Sequence, residues 1–132
     1  MRKMVLTGLV LVMGACSTGS DYEIRADRPS RLDRMLEGRE AGPPVWCVNQ
    51  RDLRGTRSAD GAIVFDGPRN TLYVSRPVGG CPSLDFGRVL VTRTSTGRLC
   101  AGDIARVVDP VSRSWHGSCG LAEFTPWRRP RG

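Results

Sequence analysis

The stretch AIVFDGPRNTLYV, residues 62–74, decides the fold. AIVF (62–65) and TLYV (71–74) are short runs of β-branched, aliphatic and aromatic residues, which suit a pleated surface better than a helix. Between them DGPRN (66–70) brings together Asp, Gly, Pro and Asn, each a turn former for its own steric or hydrogen-bonding reason. The whole reads as a hairpin with a multi-residue loop. Similar runs recur at RVLV (88–91) and ARVV (105–108), and RTSTGRL (93–99) turns the chain around Ser95 to Gly97. Short strands at this spacing predict a mainly β domain: a small sheet, sandwich or barrel. CPSLDFG (81–87) reads as one helical turn. Trp46, Phe65, Tyr73, Phe86, Phe124 and Trp127 are expected to supply most of the core's bulk.

Upstream, RPSRLDRMLEGREAGPP (28–44) holds the one convincing helix pattern. Ser30 is placed to cap it, with Asp33 three residues on in the manner of a capping box. Leu32, Met35 and Leu36 share a face, and Gly38 is placed to end the helix. Two turns are marginal alone, so this helix needs that face packed on the domain. Arg25, Arg28, Arg31, Arg34 and Arg39 alternate with acids here and read as a solvated, self-neutralised surface. GPP (42–44) closes the segment as a linker.

The first thirteen residues, MRKMVLTGLVLVM, run from a basic start into a short apolar stretch. A spanning helix needs about 20 apolar residues; this run is too short and has the layout of a secretory signal. An ordinary cleavage site after Ala15 would put bulky Met13 where a small residue belongs. Met13, Gly14, Ala15 and Cys16 instead resemble the lipobox of bacterial lipoproteins, departing from it at Met13, where Leu is usual. The resemblance implies cleavage before Cys16, a diacylglycerol thioether on its sulfur and an acylated amine. Ser17, a non-acidic residue after the cysteine, implies sorting to the outer membrane of a Gram-negative cell. Two or more acyl chains make such attachment stable where one does not. The expected organisation is a removed signal peptide (1–15), a flexible lipidated tether with a short helix (16–44), a β-rich domain (45–127) and a basic tail (128–132), which reads as a disordered end.

Removing Cys16 from the five cysteines leaves an even four: Cys47, Cys81, Cys100 and Cys119. In an oxidising compartment they are expected to pair, and four allow three connectivities. The first and last strands of a small β domain are often neighbours, which favours Cys47–Cys119 with Cys81–Cys100. A structural zinc site would show close pairs of ligands. Here the cysteines are 34, 19 and 19 residues apart, and no C-x-x-C is present. No metal and no cofactor are expected.

The order Cys47, AIVFD, TLYVSR, CPSL, GRLCAGDIARV and CGLAEFTP resembles a family of small exported domains of unknown function from Gram-negative bacteria. The likeness covers residues 46–126 and is most specific at CPSL (81–84), LCAGD (99–103) and CGLAEF (119–124). It implies a β-rich, four-cysteine domain and brings no catalytic residues with it.

The formal net charge is +7, with a single Lys among its 20 basic residues. Loss of Arg2 and Lys3 with the signal would bring the charge to +5. A basic surface suits anionic lipid, acidic polymer or nucleic acid, and an exported address argues against the last. Arg51, Arg54, Arg57, Arg128, Arg129 and Arg131 are the candidate anion contacts. Catalysis is not expected. His116, the only histidine, lies in SRSWHGSC (112–119), which reads as a loop, and no nucleophile motif accompanies Ser114 or Ser118. Asp66, Asp85, Asp103 and Asp109 are of a type to pair for acid/base work, but Asp66 and Asp109 occupy turn contexts and Asp103 is placed to bond backbone in a turn. The function these features predict is a non-enzymatic envelope lipoprotein with a binding or structural role. It would be anchored in the membrane through Cys16 and contact anionic envelope polymer or lipid, or an envelope protein. The alternatives are an inhibitor of an envelope-directed enzyme and, less favoured, a small hydrolase. A basic inhibitor would be repelled by lysozymes, which are commonly basic.

Overall fold

The computed structural model describes residues 28–131. Cys16, the lipobox and the polar segment after it lie outside the described residues. Among these residues one helix, α1 (Arg31–Leu36), precedes ten strands: β1 (Glu40–Ala41), β2 (Cys47–Asn49), β3 (Gly55–Ala59), β4 (Ala62–Asp66), β5 (Leu72–Ser75), β6 (Val89–Val91), β7 (Arg98–Cys100), β8 (Ile104–Val108), β9 (Trp115–Gly120) and β10 (Phe124–Arg128). The protein is mainly β, as its strand pattern predicts. The strands form three antiparallel sheets, ordered β1-β10-β5-β4-β3, β2-β7 and β6-β8-β9.

The AIVF run is β4, and it is buried on both faces. Ile63 and Phe65 join one core with Val48, Leu84, Leu99, Val107, Leu121 and Phe124. Ala62 and Val64, one residue out of phase, join a second core with Leu72, Val74, Leu32 and Leu36. A strand with no polar alternation therefore marks the layer between two hydrophobic faces. Each large side chain fully buried there contributes about 1.5–3 kcal/mol of transfer free energy. The DGPRN loop forms a 3-10 turn at Pro68–Asn70 and returns the chain into β5. Gly67 is required at its start: a Cβ there would lie 2.6 Å from the Tyr73 ring.

β3, GTRSA, has no apolar run to mark it in the sequence. It pairs with β4 along its whole length through a two-residue loop, Asp60–Gly61, with φ of 50° and 79°. Positive φ at both loop residues is the hairpin turn whose hand matches strand twist, and Asp-Gly is among its preferred sequences. Asp60 has a second task, because its Oδ2 accepts from the Leu32 amide at 2.6 Å and ties the start of α1 to the hairpin tip. Asp60→Ala is expected to lower stability by about 1–2 kcal/mol, through the lost acceptor and the left-handed backbone imposed on Ala. Asp60→Asn, which keeps both features, should recover most of it. Urea unfolding of the two variants checks this.

The capping box of α1 is formed. Asp33 N donates to Ser30 Oγ, and Ser30 N to the Asp33 carboxylate, each at 3.0 Å. Hydrogen bonds from Ser30, hydroxyl first and amide second, hold the Asp33 carboxyl below its ordinary range. Gly38, with φ of 71°, lies just beyond the helix. Leu32 and Leu36 are buried against the second core, with Met35 partly so. A six-residue helix persists here because that face is covered. The packed body thus reaches upstream of Val45. Pairing of β1 with β10, Gly42 N donating to Pro126 O at 2.7 Å and the Val45–Phe124 bridge extend it through the GPP segment. At the other end β10 continues to Arg128.

Two expectations are corrected. The disulfides are Cys47–Cys100 and Cys81–Cys119, in place of Cys47–Cys119 and Cys81–Cys100. The first and last strands, β1 and β10, do pair, but neither carries a cysteine: β2 pairs with β7 and sets Cys47 directly opposite Cys100, with Cα atoms 4.0 Å apart. Cys119 lies on β9, in a different sheet, and reaches Cys81 at the start of the 3-10 turn Pro82–Leu84. That turn meets the helical-turn expectation for CPSLDFG. Of the six aromatics expected in the core, Phe65 and Phe124 are fully buried and Tyr73 and Trp127 pack against it. Trp46 and Phe86 are 63% and 89% exposed. Phe86 sits in a turn with φ of 67°, and its ring lies against the Arg88 guanidinium, 5.6 Å from the ring centre.

Candidate anion-binding site

The C-terminal end of β10 runs beside the DGPRN turn, because Trp127 pairs with Leu72 and Arg128 with Glu40. This brings a hairpin loop and the chain's end together around one depression of about 410 Å³, lined by Arg69, Thr71, Arg128, Arg129 and Arg131. Arg69 and Asn70 both have left-handed backbone, φ 52° and 57°. Asn70 is fixed from behind by Arg39, whose guanidinium donates to the Asn70 carbonyl and, at 2.9 Å, to its Oδ1. A longer bond, 3.4 Å, reaches the Trp127 carbonyl. Arg128 Nε donates to Oγ1 of the buried Thr71 at 3.3 Å.

The electrostatics of this corner are one-sided. Among the described residues no carboxylate lines the depression. Among the described residues the single ion pair, Arg57 with Asp66, involves none of its arginines. Burial, and then the neighbouring charges of Arg129 and Arg57, push the Arg39 guanidinium below its usual range, with Asp66 opposing them. Uncompensated guanidiniums converging on a concave surface raise the local concentration of anions, and their planar forks suit phosphate and carboxylate oxygens.

The structure divides the six arginines singled out in the sequence. Arg128, Arg129 and Arg131 meet in the depression. Arg57 is engaged by Asp66. Arg54 lines a separate cleft of about 280 Å³ with Gln50, Leu53, Thr56 and Phe65, and Arg51 is exposed on the 3-10 turn Gln50–Asp52. Arg69 was missed, because within DGPRN it reads only as a loop residue. What places it is the long-range pairing of β10 with β5.

The candidate catalytic groups have structural occupations. Asp103 Oδ2 accepts from the Cys100 amide at 2.8 Å, the turn role expected of it. Asp109 Oδ1 accepts from Val111 and Ser112 amides at 2.8 and 2.9 Å, and these bonds lead the causes that hold its carboxyl below the ordinary range. His116 is corrected from loop to strand: it is the second residue of β9, half-buried, with Nε2 3.0 Å from Ser114 Oγ. Ser114 Oγ is in turn 2.6 Å from Ser112 Oγ. No hydrogen bond joins Asp109 to the His116 ring among the described residues, so the polar run ends at a hairpin rather than a triad. No cluster of His, Cys, Asp and Glu able to hold a metal ion occurs among the described residues, and no helix there is long and apolar enough to cross a membrane.

Comparison with family models, with curated proteins and with solved structures finds no match for this chain.

Proposed function

We propose that this chain is a non-enzymatic envelope lipoprotein whose β domain, held to the membrane through acylated Cys16, binds oxyanion groups in the depression formed by Arg69, Arg128, Arg129 and Arg131. The observation that carries the reading is the convergence of these four guanidiniums without an acid among the lining residues. The address rests on the lipobox-like MGAC at residues 13–16 and the short signal before it. The ligand chemistry is a phosphate or carboxylate displayed in an array, either on a cell-wall polymer or on lipid headgroups.

The test uses Cys16→Ser protein produced from residue 16 onward, which carries neither the signal segment nor the anchor, sedimented with cell-wall sacculi and separately with phosphatidylglycerol vesicles across a salt series. Binding is expected to be tight at low salt and to fall as the Debye length shortens. Arg69→Asn, Arg129→Gln and Arg131→Gln combined should weaken it about 100-fold. That corresponds to about 1 kcal/mol for each exposed cation removed. Asn tolerates the left-handed backbone at position 69, so the fold is retained. The arm that responds identifies the source of the oxyanion. Equal binding by the parent and triple variant, or binding unaffected by salt, would sink the proposal.

A further inference from the structure

The sheet β6-β8-β9 has one face in the main core and one face outward. Ala105 and Val107 of β8 are fully buried, so Ile104, Arg106 and Val108 point away from the core. Register sets their neighbours: Val108 lies between Val89 and Trp115, Arg106 between Val91 and Ser118, and Ile104 opposite Gly120. A Cβ built on Gly120 would lie 3.8 Å from the Ile104 methyl, an ordinary contact, so the Ile104 side chain lies over Gly120. Trp115 is 67% exposed, Ile104 64%, and Val89 and Val91 just over 40%. Arg93 continues the outward row of β6, and with Arg106 it rims an apolar depression of about 390 Å³ against Val91, Ile104 and Val108. None of these outward positions is an acid.

We infer that this face is a membrane-docking surface, which lays Trp115, Ile104, Val89 and Val91 into the headgroup region of an anionic bilayer with Arg93 and Arg106 against the lipid phosphates. Charge decides the occupant: an apolar face flanked by two cations and free of acids complements an anionic lipid surface. Trp and Arg are well suited to the boundary between headgroups and acyl chains. Position along the chain adds to this. Eleven residues, 17–27, lie between Cys16 and Arg28, the first described residue, and even fully extended the connection reaches only about 40 Å. A domain so leashed meets its bilayer at high effective concentration, so a weak surface is enough to orient it. The leash rests on the anchoring proposed above; the face is an independent observation and is tested independently.

The experiment reads Trp115 by fluorescence. Full-length protein is purified from membranes, its acyl groups counted by intact mass, and reconstituted into phosphatidylethanolamine–phosphatidylglycerol vesicles with brominated acyl chains. The parent should be quenched well beyond Trp115→Phe, in which only Trp46 and Trp127 report. The difference should persist at salt concentrations that empty the arginine depression. Cys16→Ser protein added to the same vesicles should show the same Trp115 quenching at saturating lipid. There Ile104→Glu should weaken vesicle binding about tenfold, by forfeiting part of one buried side chain's transfer free energy. Equal quenching of the parent and Trp115→Phe overturns the inference. So does concentration-dependent dimerisation of Cys16→Ser protein that Ile104→Glu abolishes, which would assign the face to a second copy. A mass without acyl groups removes the anchor alone, and the Cys16→Ser arm still decides the face.

Discussion

Replacing Cys81 and Cys119 together by Ala is expected to lower the unfolding free energy by about 4 kcal/mol and the melting temperature by about 15–30 °C. The bridge closes a chain separation of 38 residues, for which the loop-entropy relation gives that free energy. Both sulfurs are buried, Cys81 completely. They link the 3-10 turn at Pro82–Leu84 to β9, two elements that share no backbone ladder. Once the bond is lost, the turn is held by Leu84 in the main core and by the bond from the Cys81 amide to the Gly61 carbonyl, 3.1 Å. A small domain has only about 5–15 kcal/mol in total, so the variant should be near its limit at body temperature. Cys47–Cys100 closes a separation of 53 residues and has a similar entropic worth. It joins strands that already pair, and both residues are only half-buried, so its removal should cost less. Equilibrium unfolding in urea ranks the two double variants. Proteolytic fragments from the unreduced protein should contain Cys47 joined to Cys100; recovery of Cys47 joined to Cys119 would sink this account.

The cysteines also mark where the sequence stops being legible. Their parity, even once Cys16 is set aside, announces two bridges. Connectivity depends on which strands are neighbours, and that is a long-range property. Proximity of the first and last strands fails as a guide because β1 and β10, which do pair, carry no cysteine, while β2 with Cys47 turns to β7 and Cys119 lies on β9 in a third sheet. Local chemistry reads better. The Ser30–Asp33 box, Gly38 and the DGPRN loop are each fixed by hydrogen bonds or sterics within a few residues, and each is where its residues place it. The missed hairpin at Asp60–Gly61 was legible by the same kind of local evidence. Its first strand, GTRSA, has no apolar run, because only Ser58 and Ala59 of it are buried.

The candidate site follows the same division. A basic end to the chain is visible in FTPWRRPRG, residues 124–132. That it becomes one wall of a depression is not visible, since the opposite wall is a turn more than fifty residues away. Arg57 shows the converse: its availability in the sequence is cancelled by Asp66, its hairpin neighbour across β3 and β4. Arginine positions alone therefore supply only candidate anion contacts, and strand pairing determines which of them lie together.

Aromatic residues give the sharpest test of this division, because composition treats them alike and the fold does not. Phe124→Ala is expected to cost about 3–5 kcal/mol, the range for removing a buried ring. Phe124 is fully buried, and its ring meets Phe65 edge-on at 5.6 Å. Its backbone is held on both sides: Val45 and Phe124 exchange hydrogen bonds of 2.8 and 2.9 Å, and Phe124 pairs with Ser75. Ser75 is itself fully buried and locked to Ala122 by bonds of 2.9 and 3.0 Å. A site braced in this way cannot collapse into the space left by the ring, which places the cost toward the upper end of the range. Phe86→Ala removes an equally large ring that lies almost wholly in solvent. Its ring lies against the Arg88 guanidinium, so the loss should stay below about 1 kcal/mol. Urea midpoints for the two variants should differ severalfold in their shift. Comparable shifts would mean that Phe86 packs inward, and the two-core arrangement around β4 would then have to be redrawn.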